Sequence, residues 1–147
     1  MTSFLEKLVW QRAQRMCEYC QMPQSYDELP FEIDHIIARK HSGQTTAPNL
    51  ALCCFACNHR KGPNIAGVDP KTGRITRLFN PRRHKWEQHF KWNGPRLIGR
   101  TPIGRTTIAV LEINLPYRLE LRQALIEEGV FPPTTEKRRA TKRTRSK

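Results

Sequence analysis

Four cysteines lie in two pairs with the spacing of metal ligands. Cys17 and Cys20 form one Cys-x-x-Cys pair, and Cys54 and Cys57 form the second. A Cys-x-x-Cys turn directs backbone N–H groups at its sulfur atoms, and two such turns supply the four thiolates of a tetrahedral Zn²⁺ site. The spacing therefore predicts a closed, structural zinc site that ties together two parts of a small domain; four unrelated buried thiols are the alternative. The fifth cysteine, Cys53, has the wrong spacing for a ligand and is assigned to packing.

An ordered set of polar residues lies between the cysteine pairs and just after them. A strand-like run carries Asp34 and His35, Asn49 opens the next apolar run, and Asn58 directly follows the last cysteine. In this order and spacing the sequence resembles the zinc-containing subgroup of the HNH endonuclease family over residues 15–62. The resemblance implies a small α+β module of the ββα-metal (His-Me finger) type, in which a hairpin carrying the histidine is followed by a helix carrying the last ligand.

The resemblance also implies a role for each of these residues. His35 is the general base that takes a proton from water, because an imidazole exchanges protons near neutral pH. Asp34 and Asn58 offer a carboxylate and an amide oxygen to a catalytic Mg²⁺ or another divalent ion, which prefers oxygen donors. Asn49 holds a loop and orients the imidazole. The expected reaction is hydrolysis of a phosphodiester bond to 5′-phosphate and 3′-hydroxyl ends.

Several alternatives stay open at this point. An Asp-His pair is often only a surface pair, and Asn58 can act simply as a helix cap. His59 is a competing ligand because it follows Asn58 directly. Glu32 shares a strand face with Asp34, since side chains alternate along a strand; it either assists the ion or pairs with an arginine.

The charge of the chain indicates the partner. Lys and Arg number 26 against 13 Asp and Glu, which gives a formal net charge of +13 at pH 7. Such an excess favours a polyanion, and DNA is the expected partner, with RNA not excluded. Candidate backbone contacts are five basic residues near the second cysteine pair and further along the chain: Arg60, Lys61, Arg82, Arg83 and Lys85.

Hydropathy argues against a membrane protein. No apolar run approaches the roughly 18 residues of a membrane span, and the N-terminus lacks the pattern of a signal peptide. We therefore expect no membrane partner, a cytoplasmic location, and cysteines that are thiols or metal ligands.

The elements that must position these residues are short. A capping box between Ser3 and Glu6 predicts a helix over 3–16, followed by strand-like runs over 31–37 and 49–54 and a helix over 55–61. Thr101 and Pro102 have the pattern of a helix start. The other predicted elements are a strand over 75–79 and helices over 83–90, 102–113 and 116–128, the last with Leu121, Ala124 and Leu125 on its apolar face.

The chain is thereby divided into three parts: a zinc-bound nuclease module over 1–63, a basic and mainly helical extension over 64–131, and a disordered basic tail over 132–147. One such site cuts one strand, so the expected activity is nicking by a monomer, although the oligomeric state is open. The alternative function is a zinc-ribbon module that binds nucleic acid without catalysis.

Overall fold

The computed structural model describes residues 1–133, which form a mixed α+β structure with three two-stranded antiparallel sheets. The α+β class predicted from the sequence is confirmed. Most of the predicted basic tail, residues 134–147, lies outside the described residues. The helices and strands follow one another in this order: α1 (Ser3–Arg12), β1 (Glu32–His35), β2 (Leu50–Cys53), α2 (Phe55–Lys61), β3 (Ala66–Val68), β4 (Ile75–Arg77), α3 (Trp86–His89), β5 (Phe90–Asn93), β6 (Arg96–Gly99), α4 (Pro102–Val110) and α5 (Pro116–Glu127).

The first hairpin positions the candidate site. Strand β1 pairs antiparallel with β2, so that Asp34 lies opposite Ala51 and His35 opposite Leu50. All four residues of β2 are buried, because helix α1 packs on β2 while α2 packs on β1. Consecutive side chains of a strand point to opposite faces, and Asp34 and His35 therefore face different surroundings.

Helix α1 differs from the prediction at both ends. Its N-cap is Thr2, whose hydroxyl accepts a hydrogen bond from a backbone N–H, so the cap is not the predicted Ser3. The helix ends at Arg12, because Gln14 and Arg15 adopt positive φ angles of 54° and 58°. A right-handed helix cannot continue through left-handed residues. This turn brings the chain directly to the first cysteine pair.

The hairpin of β5 and β6 was not predicted from the sequence. Asn93 pairs with Arg96 at its end, and a two-residue turn of Gly94 and Pro95 joins the strands. Gly94 has a φ of 59°, a conformation that the tight turns of hairpins require and that glycine adopts without strain. A glycine at the first of the two loop positions, as type II′ turns require, was the local signal for this hairpin.

Aromatic side chains attach the extension to the zinc-binding part of the chain. The indole Nε1 of Trp86 donates a hydrogen bond of 2.9 Å to the backbone oxygen of Tyr19. Phe79 packs edge-to-face on Tyr19 and on Phe90, with ring centroids 6.4 and 5.2 Å apart. These rings therefore contribute to a shared core rather than to an exposed stacking surface.

The buried face of α5 contains Leu125, as predicted, but not Leu121 or Ala124, which are exposed. Leu121 is 41% exposed, whereas Arg118, Arg122 and Leu125 are buried. Sequence patterning assigns arginine to the surface, but both guanidinium groups have internal hydrogen-bond partners. Among residues 1–133, none of the helices has the length and apolar character needed to cross a lipid bilayer.

Candidate active site

The two cysteine pairs converge on one buried site. The sulfur atoms of Cys17, Cys20, Cys54 and Cys57 all lie within 4.8 Å of one another, and those of Cys20 and Cys54 are 3.7 Å apart. Two sulfur atoms of a tetrahedral Zn²⁺ site lie about 3.8 Å apart when each Zn–S bond is about 2.3 Å. The size and donor set of the site therefore fit Zn²⁺.

Backbone geometry within each pair supports the same conclusion. The N–H of Cys20 points at the sulfur of Cys17 at 3.5 Å, and that of Cys57 points at the sulfur of Cys54 at 3.4 Å. Burial raises the pKa of the Cys17 and Cys57 thiols, so that a bound cation is needed to hold all four as thiolates near neutral pH.

Cys53 lies outside this group of ligands. It is fully buried in β2, and burial raises the pKa of its thiol to about 12. A neutral thiol packs as a small apolar side chain. This agrees with the packing role expected from its spacing.

Arg118 is a residue of the zinc-binding site that sequence reasoning missed. Its guanidinium donates to the sulfur of Cys57 at 3.0 Å and to the backbone oxygen of Leu111 at 3.0 Å. Burial alone would lower the pKa of Arg118, but the surrounding thiolates outweigh burial and raise it. Four thiolates around Zn²⁺ carry a net negative charge, which this buried cation offsets.

Asp34 lies in the interior between β1 and α2. It is 5% exposed. Its Oδ2 accepts a hydrogen bond of 2.9 Å from the Tyr19 hydroxyl, and the Lys61 ammonium lies 3.2 Å from each carboxylate oxygen. Burial raises the pKa of Asp34, while the charge of Lys61 and the bond from Tyr19 oppose that rise. A buried carboxylate requires such partners.

Lys61 does not lie on the surface, where a phosphate contact was predicted. Its side chain is 1% exposed, and its ammonium also donates to the backbone oxygen of His35 at 3.2 Å. Carboxylate and carbonyl oxygens therefore surround this ammonium. The prediction of a surface contact is corrected, because the buried charge of Asp34 draws the lysine inward.

His35 faces the other side of β1 and contacts the loop between the strands. Its Nε2 lies 2.8 Å from the hydroxyl oxygen of Thr45. Within residues 1–133, its Nδ1 has no hydrogen-bond partner. The imidazole is thus held through one nitrogen while the other is available to a ligand.

Asn49 fixes both ends of that loop. Its amide accepts from the N–H of Ile37 at 2.9 Å and donates to the backbone oxygens of Ile37 and Gln44 at 3.0 and 2.9 Å. Gln44 immediately precedes Thr45, the residue that contacts His35. Asn49 thus bonds to both ends of the loop, while its role in orienting the His35 imidazole stays a prediction.

Asn58 in α2 and Glu32 in β1 contact each other. The Nδ2 of Asn58 donates to Oε2 of Glu32 at 2.8 Å. Among residues 1–133, Glu32 thus pairs with an amide and with no arginine. Glu32 and Asp34 share a strand face, so two carboxylates and an amide lie along this edge. That donor chemistry fits a hard divalent cation, although the Lys61 ammonium already neutralises Asp34.

The other predicted contacts to nucleic acid divide into two kinds. Arg60 forms an ion pair of 2.5 Å with Glu112, and Arg82 forms an ion pair with Glu18. Arg82 is only partly exposed, so the prediction that it contacts phosphate from the surface is corrected: it links the first cysteine pair to the extension. The remaining two basic side chains are exposed and without an ionic partner among residues 1–133: Arg83 and Lys85.

Comparison with known proteins defines the class of this site. A model of the HNH endonuclease family matches residues 17–64, the stretch that holds both cysteine pairs, β1, β2 and α2. Residues 17–64 are therefore similar to an HNH endonuclease domain, and the hairpin of β1 and β2 followed by α2 is consistent with the ββα-metal fold of that family. Septu protein PtuB from Bacillus thuringiensis is 24% identical over 130 residues, which is 84% of this chain. The chain spans about half the length of this curated relative, 46%. No solved structure gives a significant match.

Proposed function

We propose that this chain is a metal-dependent endonuclease that hydrolyses phosphodiester bonds in DNA. The observation that carries the proposal is the His35 imidazole at the end of β1. One of its nitrogens is held by Thr45, and its other nitrogen has no partner among the described residues. A general base requires such an oriented nitrogen within reach of water.

In the proposed reaction, His35 takes a proton from a water molecule while the oxygen of that water attacks the phosphorus. The bond from phosphorus to the 3′-oxygen breaks, which leaves a 5′-phosphate and a 3′-hydroxyl after protonation of the leaving oxygen. Asp34 and Asn58, with Glu32 beside them, are the proposed ligands of Mg²⁺ or another divalent ion. When bound, this ion would polarise the phosphate and stabilise charge on the leaving oxygen.

DNA is the proposed substrate because of charge. The formal net charge of +13 favours a polyanion, and the exposed side chains of Arg83 and Lys85 are free to contact phosphates. One site acts on one strand, so we expect a monomer to nick duplex DNA. A ribonucleotide version of the same duplex would measure any activity on RNA.

The test is relaxation of a supercoiled plasmid by zinc-loaded protein with Mg²⁺ or Mn²⁺. We expect nicked circles that DNA ligase reseals directly, because ligase joins a 5′-phosphate to a 3′-hydroxyl. Nicks that ligase cannot seal would contradict the proposed products. Absence of nicking with any divalent ion, while the protein still binds the plasmid, would contradict the nuclease assignment.

That last result would favour the second candidate, a zinc-ribbon module that binds nucleic acid without cutting it. The observation in its favour is the ion pair of Lys61 with Asp34, which already neutralises one of the proposed ligands. Both candidates predict salt-sensitive binding. Only a cleavage assay distinguishes the nuclease from the non-catalytic module.

A further inference from the structure

The contact between Thr45 and His35 determines more than the position of the ring. A neutral imidazole has one nitrogen that donates a hydrogen bond and one that accepts, while a hydroxyl can do either. The 2.8 Å distance between Nε2 and the Thr45 oxygen therefore permits two arrangements. Either Nε2–H donates to Thr45, or Thr45 donates to a bare Nε2 and the proton lies on Nδ1.

The two arrangements have different chemical consequences. If Nδ1 carried the proton, the lone pair of Nε2 would be occupied by Thr45, and His35 would have no nitrogen free to accept a proton from water. If Nε2 carries the proton, the lone pair of Nδ1 stays free, since Nδ1 has no partner within residues 1–133. Only this second tautomer leaves His35 able to act as a base.

We propose that Thr45 is a positioning residue whose hydroxyl accepts the Nε2–H of His35 and so leaves Nδ1 as the proton acceptor. The role of Nδ1 rests on the proposed nuclease function. The choice between the two tautomers rests on that function as well, because the contact itself permits both; the tautomer can nevertheless be measured without any substrate.

The loop around Thr45 is built to keep its hydroxyl in place. The Asn49 side-chain amide donates to the backbone oxygen of Gln44. The Asn49 backbone N–H donates to the backbone oxygen of Thr46 at 2.9 Å. Both chain neighbours of Thr45 are therefore tied to the same residue. Gly43 closes the turn so tightly that a Cβ would lie 1.7 Å from the Ile37 oxygen. The loop is thus fixed by its backbone, and the Thr45 hydroxyl needs no further partner to hold it.

The experiment compares four proteins: wild type, Thr45→Val, Thr45→Ser and Thr46→Val. Valine keeps the shape of threonine but cannot accept a hydrogen bond, whereas serine keeps the hydroxyl. Thr46 is an exposed neighbour whose side chain makes no hydrogen bond within residues 1–133, so it provides a matched control. Equal zinc content and equal thermal unfolding show that all four proteins are folded.

The first measurement is the ¹⁵N NMR spectrum of the histidine side chains, with His35 assigned from its loss in His35→Ala. We expect the Nε2–H tautomer in wild type, Thr45→Ser and Thr46→Val, and a mixture of tautomers in Thr45→Val. A wild-type His35 protonated on Nδ1 would overturn the inference. So would an unchanged tautomer in Thr45→Val.

The second measurement is the single-turnover rate of plasmid nicking. Loss of one partly exposed hydrogen bond predicts a rate roughly threefold to tenfold lower in Thr45→Val, restored in Thr45→Ser. An unchanged rate in Thr45→Val would overturn the role given to Thr45. If the tautomers behave as expected but wild-type protein does not cleave DNA, the proposed function fails while the assignment of the tautomer by Thr45 stands.

Discussion

The Lys61 ammonium lies inside the protein although lysine is among the residue types least often buried. It is there because Asp34 is buried too, and a buried carboxylate is tolerated only when it is paired and hydrogen-bonded. The pattern of the sequence identifies both residues but not their contact, since a basic residue two positions before a proline ordinarily reads as surface. The pairing is a property of how α2 packs on β1.

Replacing Lys61 by methionine is expected to destabilise the zinc-loaded protein by about 3–5 kcal/mol, because it leaves a buried carboxylate without its counter-charge. Urea denaturation measures this. Lys40→Met, at an exposed position, is the control and should change stability by less than about 0.5 kcal/mol. The double variant Lys61→Met with Asp34→Asn should regain much of the loss. Equal stability of Lys61→Met and Lys40→Met would contradict the account of this pair.

Individual residues differ in how well the sequence predicts them. The four cysteine ligands follow from spacing alone, because a Cys-x-x-Cys turn is a local structure. Thr45 and Arg118 could not be identified from the sequence. The role of Thr45 depends on a contact of its hydroxyl with the His35 ring, and that of Arg118 depends on the packing of a helix that is distant in sequence from the cysteines. A threonine in a polar loop and an arginine in a C-terminal helix carry no local signal of these contacts.

At the scale of elements, local signals predicted helices better than hairpins. Helix α4 begins at the predicted place because Thr101 is a side-chain N-cap that accepts from the N–H of Gly104 at 3.1 Å. Helix α2 matches the predicted range 55–61. Strands β3, β5 and β6, of three or four residues each, were missed. These strands are stabilised by pairing with neighbouring strands, which the sequence pattern does not show.

The N-cap of α4 can be tested directly. Thr101→Ala is expected to lower the free energy of unfolding by about 1 kcal/mol, because it removes a hydrogen bond to the first turn. Thr101→Ser should retain most of the stability, since serine caps as well as threonine. Chemical denaturation of the two variants side by side measures the difference. A loss of equal size in both variants would show that the threonine methyl group, and not the cap, is responsible.

Helix α5 also contributes to the zinc site through Arg118. We expect Arg118→Met to release zinc to a chelator roughly tenfold faster than wild type. Such an effect is typical when a residue that hydrogen-bonds to a metal ligand is removed. A colorimetric zinc chelator follows the release. Arg96→Met, which removes an exposed arginine, is the matched control. Identical release from both variants would show that Arg118 does not stabilise the bound metal.

For the whole molecule, the zinc site joins parts of the chain that are far apart in sequence. The first cysteine pair follows α1, the second begins α2, and Arg118 connects α5 to it. A single ion bound there would therefore hold together α1, the first hairpin and α5. The basic charge of the whole molecule was evident from composition. Which lysine and arginine side chains are exposed depends on how these elements pack.

Loss of the metal is expected to abolish cooperative folding, because the binding energy of a structural zinc ion is also folding energy. Cys20→Ser should bind less than one zinc per chain and show no cooperative thermal transition by circular dichroism. Cys53→Ala, which changes a buried cysteine outside the ligand group, should keep both the zinc and the transition. A cooperative, zinc-free Cys20→Ser protein would be incompatible with this account.

The most direct test of the whole account is single-turnover nicking of DNA by His35→Ala, compared with His41→Ala, in which an exposed histidine of the neighbouring turn is changed. Binding of the same DNA is measured in parallel. We predict that His35→Ala binds like wild type and loses at least about a hundredfold in rate, while His41→Ala retains both properties. Equal rates for His35→Ala and wild type, at equal zinc content, would contradict the assignment of His35 as the base.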